Sequence, residues 1–264
     1  MTVGVIALDG LDWNMVERTR ALSTLPGDPW TAELNNDLPG HPDHGEYSLF
    51  TPHVWTCIFS GEIQQAIWGW HEPDGWADLC DDAGLTFLWD KVPGASVANL
   101  KVHGHYLNKN SPLPDGWTPV HSDPETTKDT ATDLIQFWNE WLDTESPPVY
   151  AQWWRVADAW GHWAVKHEEP LEPCYEWLRD EFFPALDLPD DWILVSDHGF
   201  RTDTENGKNG NSSGSRHQHR ASGVIATNMD TVRYENMTDF VSEWHTDVSM
   251  GVERGNLKAL GYLD

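Results

Sequence analysis

One run, Trp192-Ile193-Leu194-Val195-Ser196-Asp197-His198-Gly199-Phe200, constrains what this chain can fold into more than any other stretch. Its first half is continuously apolar, the pattern of a strand buried on both faces in a parallel sheet. It then stops at an acid, an imidazole and a glycine, and the carboxyl ends of such strands are where open α/β sheets present ligand-binding groups. Asp197 and His198 can supply two metal ligands; taken alone, they serve equally well as a capped turn after a buried strand.

Three other stretches repeat the arrangement. Val3 to Leu8 is a second apolar run, broken by Asp9-Gly10. Val149 to Val156 is a third, followed by Asp158 and His162, whose spacing puts both side chains on one face if the turn is helical. Thr51-Pro52 opens a short helix that closes before Gly61, with Thr at the N-cap, Pro at the first helical position and Gly beyond the end. Helical patterns over Leu11 to Leu22, Leu85 to Lys91, Thr126 to Leu142 and Leu171 to Leu186 fall between the strands, and Ser96 to Val102 and Gly223 to Ala226 add further strands. The expected fold is α/β: a doubly wound, mostly parallel sheet with helices on both faces, in a single domain over residues 1–264 with minimal or no cap. Ser23 to Ser48 reads as an irregular loop, residues 64–82 as a pocket wall, Val102 to Pro114 as a short substrate-side loop and residues 202–216 as a mobile loop. Met237 to Leu263 reads as two amphipathic helical pieces separated at Gly251.

Charge limits the partners. Asp and Glu number 43 against 16 Lys and Arg, a formal charge of -27, which repels nucleic-acid duplexes and anionic membranes. The 17 tryptophans and the apolar runs supply enough burial to offset chain entropy, so this charge does not imply disorder. Abundant acids with few lysines suit a high-salt organism, where screening shortens the self-repulsion. Cys57, Cys80 and Cys174 form no zinc-like cluster and leave an odd thiol, which suits a reduced compartment. With no basic leader and no apolar run of membrane-spanning length, the expected location is cytoplasmic.

In chain order the candidate ligands are Asp9, Thr51, Asp158, His162, Asp197, His198 and His219. Oxygen and imidazole donors without thiolate suit zinc or manganese, and the set is large enough for two divalent ions sharing a substrate. His103 and His105, at the end of a strand, are either further contacts or ordinary loop histidines. The sequence resembles the alkaline phosphatase superfamily, most closely its type I phosphodiesterase and nucleotide pyrophosphatase branch. The resemblance lies in Val5-Ile6-Ala7-Leu8-Asp9-Gly10, in Thr51-Pro52 through Trp55-Thr56 to Ser60-Gly61, and in Asp158 to Gly161-His162. It continues in Ser196-Asp197-His198-Gly199-Phe200 and in His219-Arg220 followed by Gly223.

The resemblance implies that Asp9, Thr51, Asp197 and His198 hold one ion and that Asp158, His162 and His219 hold the other, with zinc preferred over manganese. It makes Thr51 the nucleophile and Thr56 a framework residue. His217 is the alternative to His219, although Arg220 and Gly223 keep their places in the pattern only when His219 is counted. Gln64, Gln65, Ala66 and Ile67 stand where many relatives carry a Pro and a His-Gly pair, and no Cys-x-Pro-x-Arg surrounds Thr51, against a sulfatase. The implied activity is a metal-dependent phosphodiesterase or nucleotide pyrophosphatase that hydrolyses a small phosphate ester through phosphothreonine. The alternatives are a phosphomonoesterase of the same fold and a non-catalytic binding or structural subunit. Arg220 and Arg201 are the only cations close to these motifs in sequence.

The charge balance makes one prediction. Circular dichroism melts at graded KCl should show the thermal midpoint rising with salt, and a midpoint indifferent to salt removes the high-salt expectation.

Overall fold

The computed structural model of the chain describes residues 2–39, 51–63, 84–102, 105–111, 113, 123–200, 219–229 and 233–260. In chain order these form β1 (Val3–Leu8), α1 (Trp13–Thr19), β2 (Trp30–Asn35), α2 (Thr51–Ser60), α3 (Leu88–Lys91), β3 (Ser96–Val102) and β4 (His105–Lys109). They continue with α4 (Pro124–Glu145), β5 (Val149–Trp154), α5 (Val156–His167), α6 (Glu172–Trp177), a π-helical turn (Leu178–Phe182) and α7 (Phe183–Ala185). Then come β6 (Asp191–Val195), β7 (Gly199–Phe200), β8 (His219–Arg220), β9 (Ser222–Thr227) and α8 (Met237–Ala259).

The main sheet has the order β2-β9-β6-β1-β5-β3-β4. Its middle is parallel: β1 pairs with β5 and β6, and β5 with β3. Alternate residues of these strands enter two separate cores, as a two-residue period requires. Ile6, Leu8, Tyr150, Trp154, Trp192 and Leu194 face the layer of α1, α4, α5 and α6. Val5, Ala7, Ala151, Trp153, Ile193 and Val195 face α2, α3 and α8. The expected doubly wound sheet, covered on both faces, is therefore present. The tryptophans serve it: Trp55, Trp138, Trp153, Trp154, Trp192 and Trp244 are all fully buried. Gln152 is a polar exception inside the first core, satisfied by the Tyr150 hydroxyl at 2.7 Å and by its own donation to the Leu134 carbonyl at 3.1 Å.

Both edges depart from the sequence reading. The expected loop over Ser23 to Ser48 contains β2, which runs antiparallel to β9 from Trp30 opposite Thr227 to Asn35 opposite Ser222. An edge strand with one face in water carries no continuous apolar run, so composition conceals it. At the other edge β4 pairs antiparallel with β3 inside the stretch read as a substrate-side loop. The third correction concerns Gly251, which lies inside the continuous helix α8 and does not divide it. A Cβ there would stand 3.1 Å from Met229 Cε and 3.3 Å from Val3 Cγ2, so the glycine lets the helix lie close against the end of β1. Residues 64–82 and 202–216, together with Cys80, His103, Arg201 and His217, lie outside the described residues. Cys57 and Cys174 are buried thiols outside any disulfide.

The last turn of α2 is held by side chains from elsewhere. Trp244 Nε1 donates to the Ile58 carbonyl at 2.7 Å, and Lys91 Nζ donates to the Ser60 carbonyl at 2.6 Å. Gly61 follows at φ 68, and its N–H returns to the Cys57 carbonyl at 2.9 Å. His245 packs over it, with Nδ1 at 3.2 Å from Lys91 Nζ. Burial, helped by that ammonium, lowers the His245 pKa from 6.5 to about 3.

Two predictions follow the geometry of this cap. Gly61→Ala places a methyl 2.7 Å from His245 Nδ1 at a left-handed residue, and urea unfolding should show a loss of about 2 kcal/mol or more. His245 stays neutral in the fold down to about pH 3 but takes up a proton near pH 6.5 once unfolded, so its contribution is complete above 6.5 and lost on acidification. Melts from pH 7 to pH 4 should therefore fall less steeply for His245→Gln than for the natural chain, by up to about 1.4 kcal/mol per pH unit. Parallel slopes would show that His245 is protonated in the fold.

Candidate metal centre

Three parallel strands end level with one another, and each delivers a carboxylate to one edge. Leu8 is opposite Trp154 and Ala7 opposite Val195, so Asp9, the start of α5 and the turn after β6 meet there. The Asp9 N–H donates to the Trp154 carbonyl at 2.8 Å, and the Asp9 carbonyl accepts from the Asp158 N–H at 3.0 Å. That second bond draws α5 against the end of β1. It leaves no room for a side chain at position 10: Gly10 has φ 79, and a Cβ on it would lie 2.8 Å from the Asp158 backbone. Ser196 joins the third strand to the first, accepting from the Leu11 N–H at 2.8 Å and donating to the His198 carbonyl at 3.0 Å. Asn36 fixes the turn from below with a bond to the Asp197 carbonyl at 2.8 Å.

The residues singled out in the sequence gather into two groups. In the first, His198 Nε2 lies 3.2 Å from Asp9 Oδ1, 3.6 Å from Asp197 Oδ2 and 3.3 Å from Thr51 Oγ1. Thr51 is the first residue of α2, one step further into the helix than the N-cap place expected of it, and so stands at its positive end. His198 Nδ1 is 3.2 Å from the Gly199 carbonyl, a bond in which it donates and which aims Nε2 at the group. In the second, Asp158 Oδ1 lies 3.1 Å from His162 Nε2 and 3.6 Å from His219 Nε2, with the two histidine nitrogens 3.2 Å apart. Asp158 and His162 do share a helix face, as their spacing anticipates. The groups touch through His198 and His219, whose rings stack at 3.8 Å.

These donors suit divalent cations. Within each group, Asp9, Asp197 and His198, and again Asp158, His162 and His219, one ligand atom per residue falls within 4.8 Å of the others. Asp9 Oδ1, Asp158 Oδ1 and Asp197 Oδ2 are buried without a hydrogen bond, although imidazole nitrogens stand close by. Oxygens left so are costly in a protein interior unless a cation completes them. Protonation tells the same story. Burial and the neighbouring Asp9 push the Asp197 carboxyl well above its usual range. Burial opposes a charged His198, yet Asp197, Asp9 and Asp158 overcome it and raise its pKa to about 10. Protons thus carry positive charge here that a bound metal would replace. Asp158 is held well below the usual carboxylate range, its burial outweighed by His162, His219 and Arg155. Burial, with His198 beside it, lowers His219 to about 4, which keeps that imidazole neutral and able to coordinate.

Sequence reasoning missed Arg155. It named Arg220 and Arg201 as the only cations close to the motifs, but Arg155 Nε donates to Asp158 Oδ2 at 2.7 Å. The available signal was its place three residues before Asp158, at a strand-to-helix junction. Arg220 instead turns towards α1, with Nε 3.6 Å from Asp12 Oδ2. His105 opens β4. Thr56 is buried in α2.

No family model matches the chain, and no curated protein does. Solved structures do. Murine ectonucleotide pyrophosphatase/phosphodiesterase 5 aligns over 76% of this chain at 16% identity and a TM-score of 0.43. The chain spans 57% of that protein's length. A 2-O GAG sulfatase aligns over 94% of this chain and 70% of its own, at 12% identity and a TM-score of 0.47. The C-terminal periplasmic domain of EcEptC from Escherichia coli covers 94% and 81%, at 9% identity and a TM-score of 0.40. Likeness at this level leaves the chemistry to be argued from the residues themselves. The chain's own architecture is α/β, a mostly parallel seven-stranded sheet with helices packed on both faces.

Proposed function

We propose that the chain is a two-metal phosphoric-ester hydrolase, a phosphodiesterase or nucleotide pyrophosphatase in type, with Thr51 as nucleophile. The observation that carries this is the position of Thr51 Oγ1, 3.3 Å from His198 Nε2, at a helix start and beside the buried oxygens Asp9 Oδ1 and Asp197 Oδ2, which have no hydrogen bond. A purely structural threonine has no need of that setting. Asp9, Thr51, Asp197 and His198 would hold one ion and Asp158, His162 and His219 the other, zinc or manganese by donor type. When bound, such ions supply Lewis-acid stabilisation of the phosphoryl oxygens and favour deprotonated hydroxyl or water.

The chain's own residues do the rest. The first turn of α2 presents its positive end where the Thr51 oxygen becomes negative. Thr51 Oγ1 bonds to phosphorus while the ester bond breaks, and the threonine proton ends on the departing alcohol. Water then bonds to the phosphorus of phosphothreonine, one of its protons returns to Thr51 Oγ1, and the remaining phosphate leaves. Ser196 and Asn36 keep the Asp197-His198 turn in place throughout. A phosphomonoesterase is the second reading, and Arg155 favours it, because a guanidinium at the site suits a dianionic ester.

Initial rates on bis-p-nitrophenyl phosphate and p-nitrophenyl phosphate, in high salt with Zn2+ or Mn2+, test both. Thr51→Ala should lower kcat about a thousandfold or more while the six remaining ligands still retain metal, and a chelator should abolish turnover. The preferred substrate separates diesterase from monoesterase. Full activity in Thr51→Ala removes the nucleophile, and turnover that survives complete metal removal removes the mechanism.

A further inference from the structure

The two ligand groups are unequal in charge and exposure. The first has two carboxylates, and Asp9, Asp197 and His198 are all within 1% of full burial. The second has one carboxylate, and its Oδ2 already receives Arg155 Nε at 2.7 Å. Its histidines are also wetter, with the side chains of His162 and His219 23% and 12% exposed. A divalent ion among the first group is neutralised by Asp9 and Asp197. One among the second meets a carboxylate whose charge a guanidinium cancels, so its own charge stays uncompensated.

We propose that Arg155 makes the Asp158-His162-His219 group a weak metal site, which holds its ion firmly only when a phosphate anion is bound beside it. This rests on the two-metal reading above and deepens it. Arg155 is a positioning residue in this scheme: it turns Asp158 so that Oδ1 alone faces the two histidines, and its charge repels the cation they would share. A hydrogen bond from an outer residue ordinarily strengthens a metal ligand, but this donor carries a full positive charge of its own. A phosphoryl group supplies the missing negative charge, and by linkage an anion that retains the ion is itself retained by it. The resting chain therefore carries one ion tightly, and the second comes and goes with substrate or product.

Mn2+ binding to the stripped, folded full chain tests this, with free Mn2+ followed by its electron paramagnetic resonance signal in the presence and absence of inorganic phosphate. The natural chain should bind one ion tightly and a second about tenfold or more weaker, and phosphate should narrow the gap. Arg155→Gln keeps a donor for Asp158 but removes the charge, and it should tighten the second ion about tenfold or more and blunt the phosphate effect. Arg155→Lys should behave as the natural chain. Asp158→Asn should abolish only the weak site. Thermal melts of each variant verify that the chain stays folded. A purely structural Arg155 predicts unchanged second-ion binding in Arg155→Gln, which overturns the proposal, as do two equally tight ions in the natural chain. If hydrolysis through Thr51 persists in those cases, only the role of Arg155 falls. A folded chain that binds no Mn2+ in any form overturns the two-metal reading as well.

Discussion

Three carboxylates, Asp9, Asp158 and Asp197, are crowded at one edge of the sheet with no more than 2% of any of them exposed. Like charges in so dry a place repel strongly unless positive charge joins them. Much of the surrounding architecture can be understood as answering that demand. Histidines converge from α5, the turn after β6 and β8, an arginine pairs with one acid, and a helix aims its N-terminus at the group. The scaffold has to be stiff to hold such a cluster together. The backbone bond between Asp158 and Asp9, and the Ser196 bridge between two strand ends, provide that stiffness without occupying the carboxylates themselves.

The strands at the centre of the sheet were legible because burial on both faces demands unbroken apolar sequence, and Val3 to Leu8 and Trp192 to Val195 satisfy that demand. Asp9, Asp197 and His198 stand out for the same reason, as polar residues that end such runs. The edges were not legible. β2 has its exposed face in water, and its regularity comes from pairing with β9, a partner about two hundred residues away. Gly251 was misread because a glycine that ends a helix and one that lets a helix lie close to a sheet look the same in one dimension.

The ligand residues were visible as types, but their division into two groups is a matter of three dimensions. No spacing rule says that His219 stacks on His198 while its Nε2 faces Asp158, because that depends on β8 returning alongside β7. Arg155 is the same problem in reverse. It ends a strand and precedes a helix, places where a basic residue is ordinary, and only the fold turns its guanidinium onto the second oxygen of Asp158.

The cap on α2 has an outcome for biosynthesis. The helix that begins with Thr51 is closed at its other end by Trp244, with His245 lying over Gly61, and both belong to the last helix of the described chain. A ribosome releases Thr51 nearly two hundred residues before those partners. During that interval the helix lacks its final support, and the surface it will share with Phe240 and Trp244 is uncovered. Synthesis therefore orders the events: all three acids emerge before Trp244, and the far end of the threonine's helix gains its full cap only when the C-terminal segment arrives.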